Sequence, residues 1–146
     1  MRTGDTEIFA ITPETGDAIN LTRSPASEDR YPSWSPDGKQ IVFAHKVGEA
    51  LELFIVGADG ADLRQLTHLE KIATPPAWSP NGKWISLRLT DERYWSDKKR
   101  VEEIYAQRPA DKRPVWVIRP DGTDAHVIEC LRFQCAMDGS RAAWKP

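Results

Sequence analysis

Tyr31-Pro32-Ser33-Trp34-Ser35-Pro36-Asp37-Gly38-Lys39 returns as Pro75-Pro76-Ala77-Trp78-Ser79-Pro80-Asn81-Gly82-Lys83, with Trp34 and Trp78 forty-four residues apart. Self-similarity at a fixed period of this size marks a repeat architecture in which each copy is one supersecondary unit. Each copy carries its own turn chemistry. Pro presets φ, Asp or Asn bonds nearby backbone amides and Gly accepts positive φ, so Ser-Pro-Asp-Gly and Ser-Pro-Asn-Gly read as hairpin connections between two strands. A degraded third copy is read at Cys135-Ala136-Met137-Asp138-Gly139-Ser140, fifty-seven residues after Trp78, so that about thirteen residues are inserted before it.

A second element alternates with the first. Glu52-Leu53-Phe54-Ile55-Val56-Gly57-Ala58-Asp59-Gly60, closing on Leu66-Thr67, has an earlier copy from Glu7-Ile8-Phe9-Ala10-Ile11 through Gly16 to Leu21-Thr22. A later copy is Val115-Trp116-Val117-Ile118-Arg119-Pro120-Asp121-Gly122. Short β-branched and aromatic runs bounded by Asp-Gly turns read as strands, and no stretch keeps a helical period. Two interleaved repeats with one period make a four-strand unit, so the fold class is all-β. The architecture expected is a β-propeller of four-stranded blades, about three to a chain.

The expected domain is one, spanning 1–146. It reads as a half-blade at 6–22, a blade at 30–67, a blade at 74–129 with an insertion at about 90–112, and a half-blade at 132–145. An open blade leaves an unpaired strand edge, and rings need more than three blades. The two half-blades are complementary, so closure to six blades by a homodimer is the expected assembly. A fragment of a longer propeller is the rival reading.

Trp-Ser-Pro-Asp-Gly-Lys followed by an apolar strand, then an Asp-Gly hairpin closing on Leu-Thr, resembles the TolB-like or PD40 family of WD40-like β-propeller repeats. The resemblance covers nearly the whole chain. It implies structural roles for Trp34, Asp37, Gly38, Asp59, Gly60, Trp78, Asn81, Gly82, Asp121, Gly122, Asp138 and Gly139. Its members include assembly proteins, peptidase propellers and sensor domains, so it constrains fold far more than activity.

Composition narrows the function. The 146 residues carry a net charge of -2 with scattered Lys and Arg, so no basic face marks a nucleic-acid partner. No apolar run approaches the ~18 residues of a membrane span, and Met1–Ala10 lacks the apolar core of an export signal. The compartment stays open between cytoplasm and, for a mature or truncated form, periplasm. Cys130 and Cys135 read as plain thiols, with a disulfide as the alternative. His45, His68 and His126 fall at unrelated repeat phases without metal-ligand spacing, and neither a nucleophile elbow nor a phosphate loop is present. No cofactor, metal or catalytic residue is therefore expected. The function expected is a non-catalytic scaffold for protein or small-ligand recognition; the alternative is a propeller attached to, or forming, a peptidase or carbohydrate-active enzyme. The insertion, with Arg93, Tyr94, Trp95 and Tyr105, is the expected partner-binding loop, against the plainer reading of a solvated hairpin extension.

Overall fold

The computed structural model describes residues 6–24, 27–70, 72–90 and 112–131, and every regular element among them is a strand. Phe9–Ile11 (β1) and Ala18–Asn20 (β2) form an antiparallel pair. Asp29–Trp34 (β3), Gln40–Val47 (β4), Ala50–Gly57 (β5) and Arg64–Gln65 (β6) form one antiparallel meander. Ile72–Trp78 (β7), Ile85–Thr90 (β8), Lys112–Ile118 (β9) and His126–Leu131 (β10) form the next. Each meander is one four-strand unit, and the β1–β2 pair matches the third and fourth strands, β5 and β6, of the unit that follows.

Successive units join in the same way. A parallel bridge links Leu51, at the start of β5, to Ile72 of the following unit, and an equivalent bridge links Thr6 to Glu28. The first two strands of each unit also share an irregularity, with register shifts between Arg30 and Ser33 and between Thr74 and Ala77. Proline explains both. Pro32 and the pair Pro75-Pro76 lack the amide that a ladder needs, so the strand bulges there.

The turns are chemical copies. Ser35 Oγ donates to Asp37 Oδ1 at 2.6 Å and accepts from Gln40 N at 2.9 Å, while Lys39 N donates to Asp37 Oδ1 at 3.1 Å. Forty-four residues on, Ser79 Oγ donates to Asn81 Oδ1 at 2.8 Å and accepts from Trp84 N at 2.9 Å, and Lys83 N donates to Asn81 Oδ1 at 3.0 Å. Only an oxygen acceptor is used, which is why Asp and Asn alternate there. Gly38 at φ 70° and Gly82 at φ 68° take the left-handed residue that ends each turn. At the far end of the blades, Asp59 Oδ1 accepts from Ala61 N and Asp121 Oδ1 from Thr123 N, both at 2.9 Å. Gly60 and Gly122 supply the positive φ beside them.

Two cores stack the units face to face. Ile41, Phe43 and Val56 meet Ile8 and Leu21 of the β1–β2 pair. The alternate residues of the same strands, Val42, Ala44, Leu53 and Ile55, meet Trp78, Ile85, Leu87 and Ile118 of the following unit. Strand β4 is thus buried on both faces, and its continuous apolar run Ile41–Ala44 follows from that sandwich rather than from a one-sided alternation. The Leu-Thr closure adds a polar tie. Thr67 Oγ1 accepts from Leu53 N at 2.9 Å and donates to the buried Glu52 at 2.5 Å, and Thr22 Oγ1 accepts from Ile8 N at 3.2 Å. Glu52 also accepts from Leu69 N at 2.7 Å and Glu70 N at 2.6 Å, so its buried carboxylate is fully hydrogen-bonded.

Candidate functional site

The two repeated tryptophans end the first strand of their units, yet their surroundings differ. Trp78 is 9% exposed, lies in the core between two units, and donates its indole N–H to the carbonyl of Ser33 at 3.1 Å. Trp34 is 49% exposed. The strands that seat Trp78 are the first and second of the preceding unit, β3 and β4; before Trp34 the described residues hold only the third and fourth strand places, β1 and β2. The same lack leaves one hydrogen-bonding edge of β1 without a neighbouring strand among the described residues. Ile11, forty-five residues before the fully buried Val56, is 65% exposed, and Phe9 and Tyr31 add further exposed aromatic surface. Tyr31 holds φ 58° within the β3 bulge, an uncommon backbone state for an aromatic residue. An unpaired edge and exposed apolar side chains thus mark this flank among the described residues.

The same unit contains a polar cluster that the repeat does not require. Asp29 on β3 and His45 on β4 are cross-strand partners, with His45 Nδ1 2.5 Å from Asp29 Oδ1. The Asp29 side chain is fully buried, and its Oδ2 has no hydrogen-bond partner. At the equivalent register positions of the next unit stand Ala73 and Leu89. Ser27 Oγ lies 3.3 Å from His45 Nδ1 and 3.4 Å from Nε2, and Phe54 packs on the imidazole with centroids 4.5 Å apart. Ser, His and Asp are the parts of a nucleophilic triad, but the hydroxyl lies at nearly the same distance from both ring nitrogens, and the nearer one is the nitrogen that already meets Asp29. A nucleophile–base pair needs that hydroxyl directed at the nitrogen opposite the carboxylate. The arrangement is a buried hydrogen-bonded pair at the junction, where Asp29 N also donates to Thr6 O at 2.8 Å.

A second cluster lies on the surface of the last unit. The Arg119 guanidinium sits 4.4 Å from the Trp84 ring centroid, and His126 meets the same ring edge-on at 5.3 Å. Asp124 pairs with both Arg119 and His126 at 3.2 Å, so the charges are satisfied within the cluster.

Two turn carboxyls have shifted titrations. The Ser35 hydroxyl, then the Lys39 amide, hold Asp37 below its ordinary 3.8, and the Thr123 hydroxyl and amide do the same for Asp121. Both are exposed turn formers.

Sequence reasoning singled out Arg93, Tyr94, Trp95 and Tyr105, and these lie outside the described residues, as do Cys135, Asp138 and Gly139. Cys130 is on β10. His68 is an exposed residue after β6. Among the described residues no group of three or more His, Cys, Asp or Glu is placed to hold a metal, and no helix is long and apolar enough to cross a membrane. The Asp29–His45 pair and the exposed Trp34 were missed from sequence. The first had a signal, the Asp/His to Ala/Leu change between copies.

No family model matches the chain. The chain is 27% identical over 114 residues to the uncharacterized peptidase YuxL of Bacillus subtilis, covering 73% of the chain and 17% of that protein. It is 29% identical over 82 residues to the Tol-Pal system protein TolB of Francisella tularensis, covering 56% of the chain and 18% of that protein. The chain therefore spans less than a fifth of the curated relatives it matches. Among solved structures, a putative TolB from Agrobacterium tumefaciens superposes with a TM-score of 0.63 at 19% identity, covering 86% of the chain and 42% of that protein. With the repeated turn motifs and the four-strand units already described, these likenesses support a TolB-like, PD40 β-propeller family for the chain.

Proposed function

We propose that the chain is a non-catalytic propeller scaffold, whose blades hold recognition loops in place and whose open β1–Trp34 flank is covered by further strands when the ring closes. The exposure of Trp34 beside the buried, hydrogen-bonded Trp78 carries this reading, because one repeat position has its receiving strand among the described residues and the other does not. In this scaffold Arg93, Tyr94, Trp95 and Tyr105 on the 90–112 insertion are the proposed contacts to a protein or small-ligand partner. The TolB relative, by name a protein of the Tol-Pal system, is consistent with a protein partner.

Two arrangements would cover the flank. In one, a second copy closes a six-bladed ring; in the other, the strands belong to further blades of a longer polypeptide. The second is favoured by the chain's 17% share of the Bacillus peptidase, and under it the propeller could serve an attached peptidase. Light scattering after size exclusion tests both. A stable mass at twice 16.5 kDa across concentrations supports closure by a second copy. A folded monomer overturns it, and a reading frame that runs beyond Pro146 into a hydrolase domain would replace the free-standing scaffold with the peptidase reading.

A further inference from the structure

The two copies of the first hairpin turn, Ser35-Pro36-Asp37-Gly38 and Ser79-Pro80-Asn81-Gly82, differ only at the third residue and close through the same hydrogen bonds. The later turns of the described units are Asp59-Gly60 and Asp121-Gly122. Of the two asparagines in the chain, Asn81 precedes a glycine and Asn20 precedes Leu21. The difference between the copies is one of reactivity. A side-chain amide is an electrophile that the next backbone nitrogen can attack, whereas an ionised carboxylate is not. The Ser35 hydroxyl, then the Lys39 amide, favour the ionised form of Asp37. Beside Asn81, glycine leaves the attacking nitrogen uncrowded by a Cβ. Asn81 itself is exposed to water.

The closed turn restrains both reacting groups. Gly82 N donates to Ser79 O at 2.9 Å, so the proton that must leave is held across the turn. Asn81 Oδ1 accepts from Ser79 Oγ at 2.8 Å and from Lys83 N at 3.0 Å, so moving Cγ onto the Gly82 nitrogen breaks bonds on both partners. Ser79 Oγ in turn accepts from Trp84 N at 2.9 Å, and the ladder begins beside the turn with Trp78 opposite Ile85. Cyclisation therefore waits for the hairpin end to open.

We propose that Asn81-Gly82 is a site of self-modification gated by opening of the β7–β8 turn. In the open turn the Gly82 nitrogen gives its proton to hydroxide and attacks Asn81 Cγ. The bond from Cγ to Nδ2 breaks, and Nδ2 takes up a proton from water and leaves as ammonia. One water then opens the cyclic imide. Cleavage between Gly82 N and Cγ gives aspartate; cleavage between Gly82 N and the backbone carbonyl carbon of residue 81 gives isoaspartate, with the chain rerouted through Cβ and Cγ. The fold treats the two products differently. Aspartate is the residue that the preceding copy uses, so the turn closes on it again. Isoaspartate adds a backbone carbon between Pro80 and Gly82 and moves the acceptor away from Ser79 Oγ and Lys83 N. Trp78, next to Ser79, ties this unit to Ser33 of the one before, so the damaged turn loosens the joint between units.

Peptide mapping by mass spectrometry tests the site on the whole chain, incubated in mildly alkaline buffer with and without denaturing guanidinium chloride. Expected is conversion at Asn81 and not at Asn20, slower in the folded chain by on the order of tenfold or more. That slowing should match the protection of the Gly82 amide against hydrogen exchange to within about threefold, since both report the same opening. Ser79→Ala should raise the folded rate and leave the unfolded rate unchanged. The aspartate product and Asn81→Asp should share the denaturation midpoint of the unmodified chain, with isoaspartate confined to a fraction of lower midpoint. An Asn81 that stays intact in the unfolded chain, a folded rate equal to or above the unfolded one, or an isoaspartate chain as stable as the aspartate one overturns the proposal.

Discussion

Replacing His45 alone strips the partner from a buried carboxylate, whereas replacing both members of the Asp29–His45 pair recreates the apolar pair of the next unit. The three variants are His45→Leu, Asp29→Ala and the double substitution, which copies the Ala73–Leu89 register pair. Asp29 is fully buried with one oxygen unpartnered, so removal of the imidazole 2.5 Å away leaves its charge uncompensated; breaking a buried pair in this way costs about 3–5 kcal/mol. Asp29→Ala is milder. His45 retains partial solvent contact and its packing on Phe54, so the loss is about 1–2 kcal/mol, near that of a charged hydrogen bond. The double variant should fall within about 1 kcal/mol of the wild type, since well-packed apolar replacements of buried pairs are commonly neutral or stabilising. Urea denaturation followed by tryptophan fluorescence gives all three values, and their cycle should show a coupling of roughly 3–8 kcal/mol. A buried pair is poorly screened, so the coupling should persist in high salt. Single losses that simply add, with coupling below about 1 kcal/mol, would refute the claim that the two side chains are held for one another.

Trp78→Phe removes a buried donor and the bond to Ser33, and should destabilise by about 1–2 kcal/mol in the same assay; Trp34→Phe should stay within about 0.5 kcal/mol in the monomer. Equal losses would mean that Trp34 is seated in solution. Thr67→Val removes the hydroxyl that joins Leu53 N to the Glu52 carboxylate, and should cost about 1–3 kcal/mol, with Thr67→Ser recovering most of it. Asp37→Asn should leave the urea midpoint at pH 7 nearly unchanged, because Asn81 performs the same bonding in the next unit. The folded state holds Asp37 below its ordinary 3.8, so its contribution is present above that value and lost as pH falls through the lowered one. The Asn variant should therefore show a flatter midpoint-against-pH curve between pH 4 and pH 2, and an unchanged acid slope would rule out this role.

What could be read from the sequence is what depends on neighbours along the chain. Ser35, Asp37 and Gly38 close their turn through bonds that span five residues at most, so residue types at fixed offsets were enough to place the hairpin and its copy at Ser79–Gly82. The all-β architecture followed from those turns and from the short apolar runs between them. Burial of Trp34 was expected from its likeness to Trp78, and the structure places it in the open because burial there depends on a strand of a different unit, not on the residues around the tryptophan. The Asp29–His45 pair is sixteen residues apart across a bulged ladder, and the bulge set by Tyr31-Pro32 fixes which residues face one another. No period count gives that register.

Copies of one unit also sort side chains by their purpose. Where successive copies agree, as at the turn serines and the Leu-Thr closures, the common residue answers a demand of the fold, and its hydrogen bonds are the same in each copy. Where they disagree at one register position, the fold has shown that it accepts either, so the more demanding choice calls for a separate cause. Asp29 and His45 against Ala73 and Leu89 are the sharpest case, because a buried polar pair is harder to accommodate than two apolar groups. Trp84 against Gln40 is the next, with Arg119 and His126 gathered on its ring. The double-substituted chain separates the two causes for the first pair. If it folds with undiminished stability yet loses assembly or partner binding, the pair is held for recognition at the blade junction; if it keeps both, the pair serves neither stability nor binding.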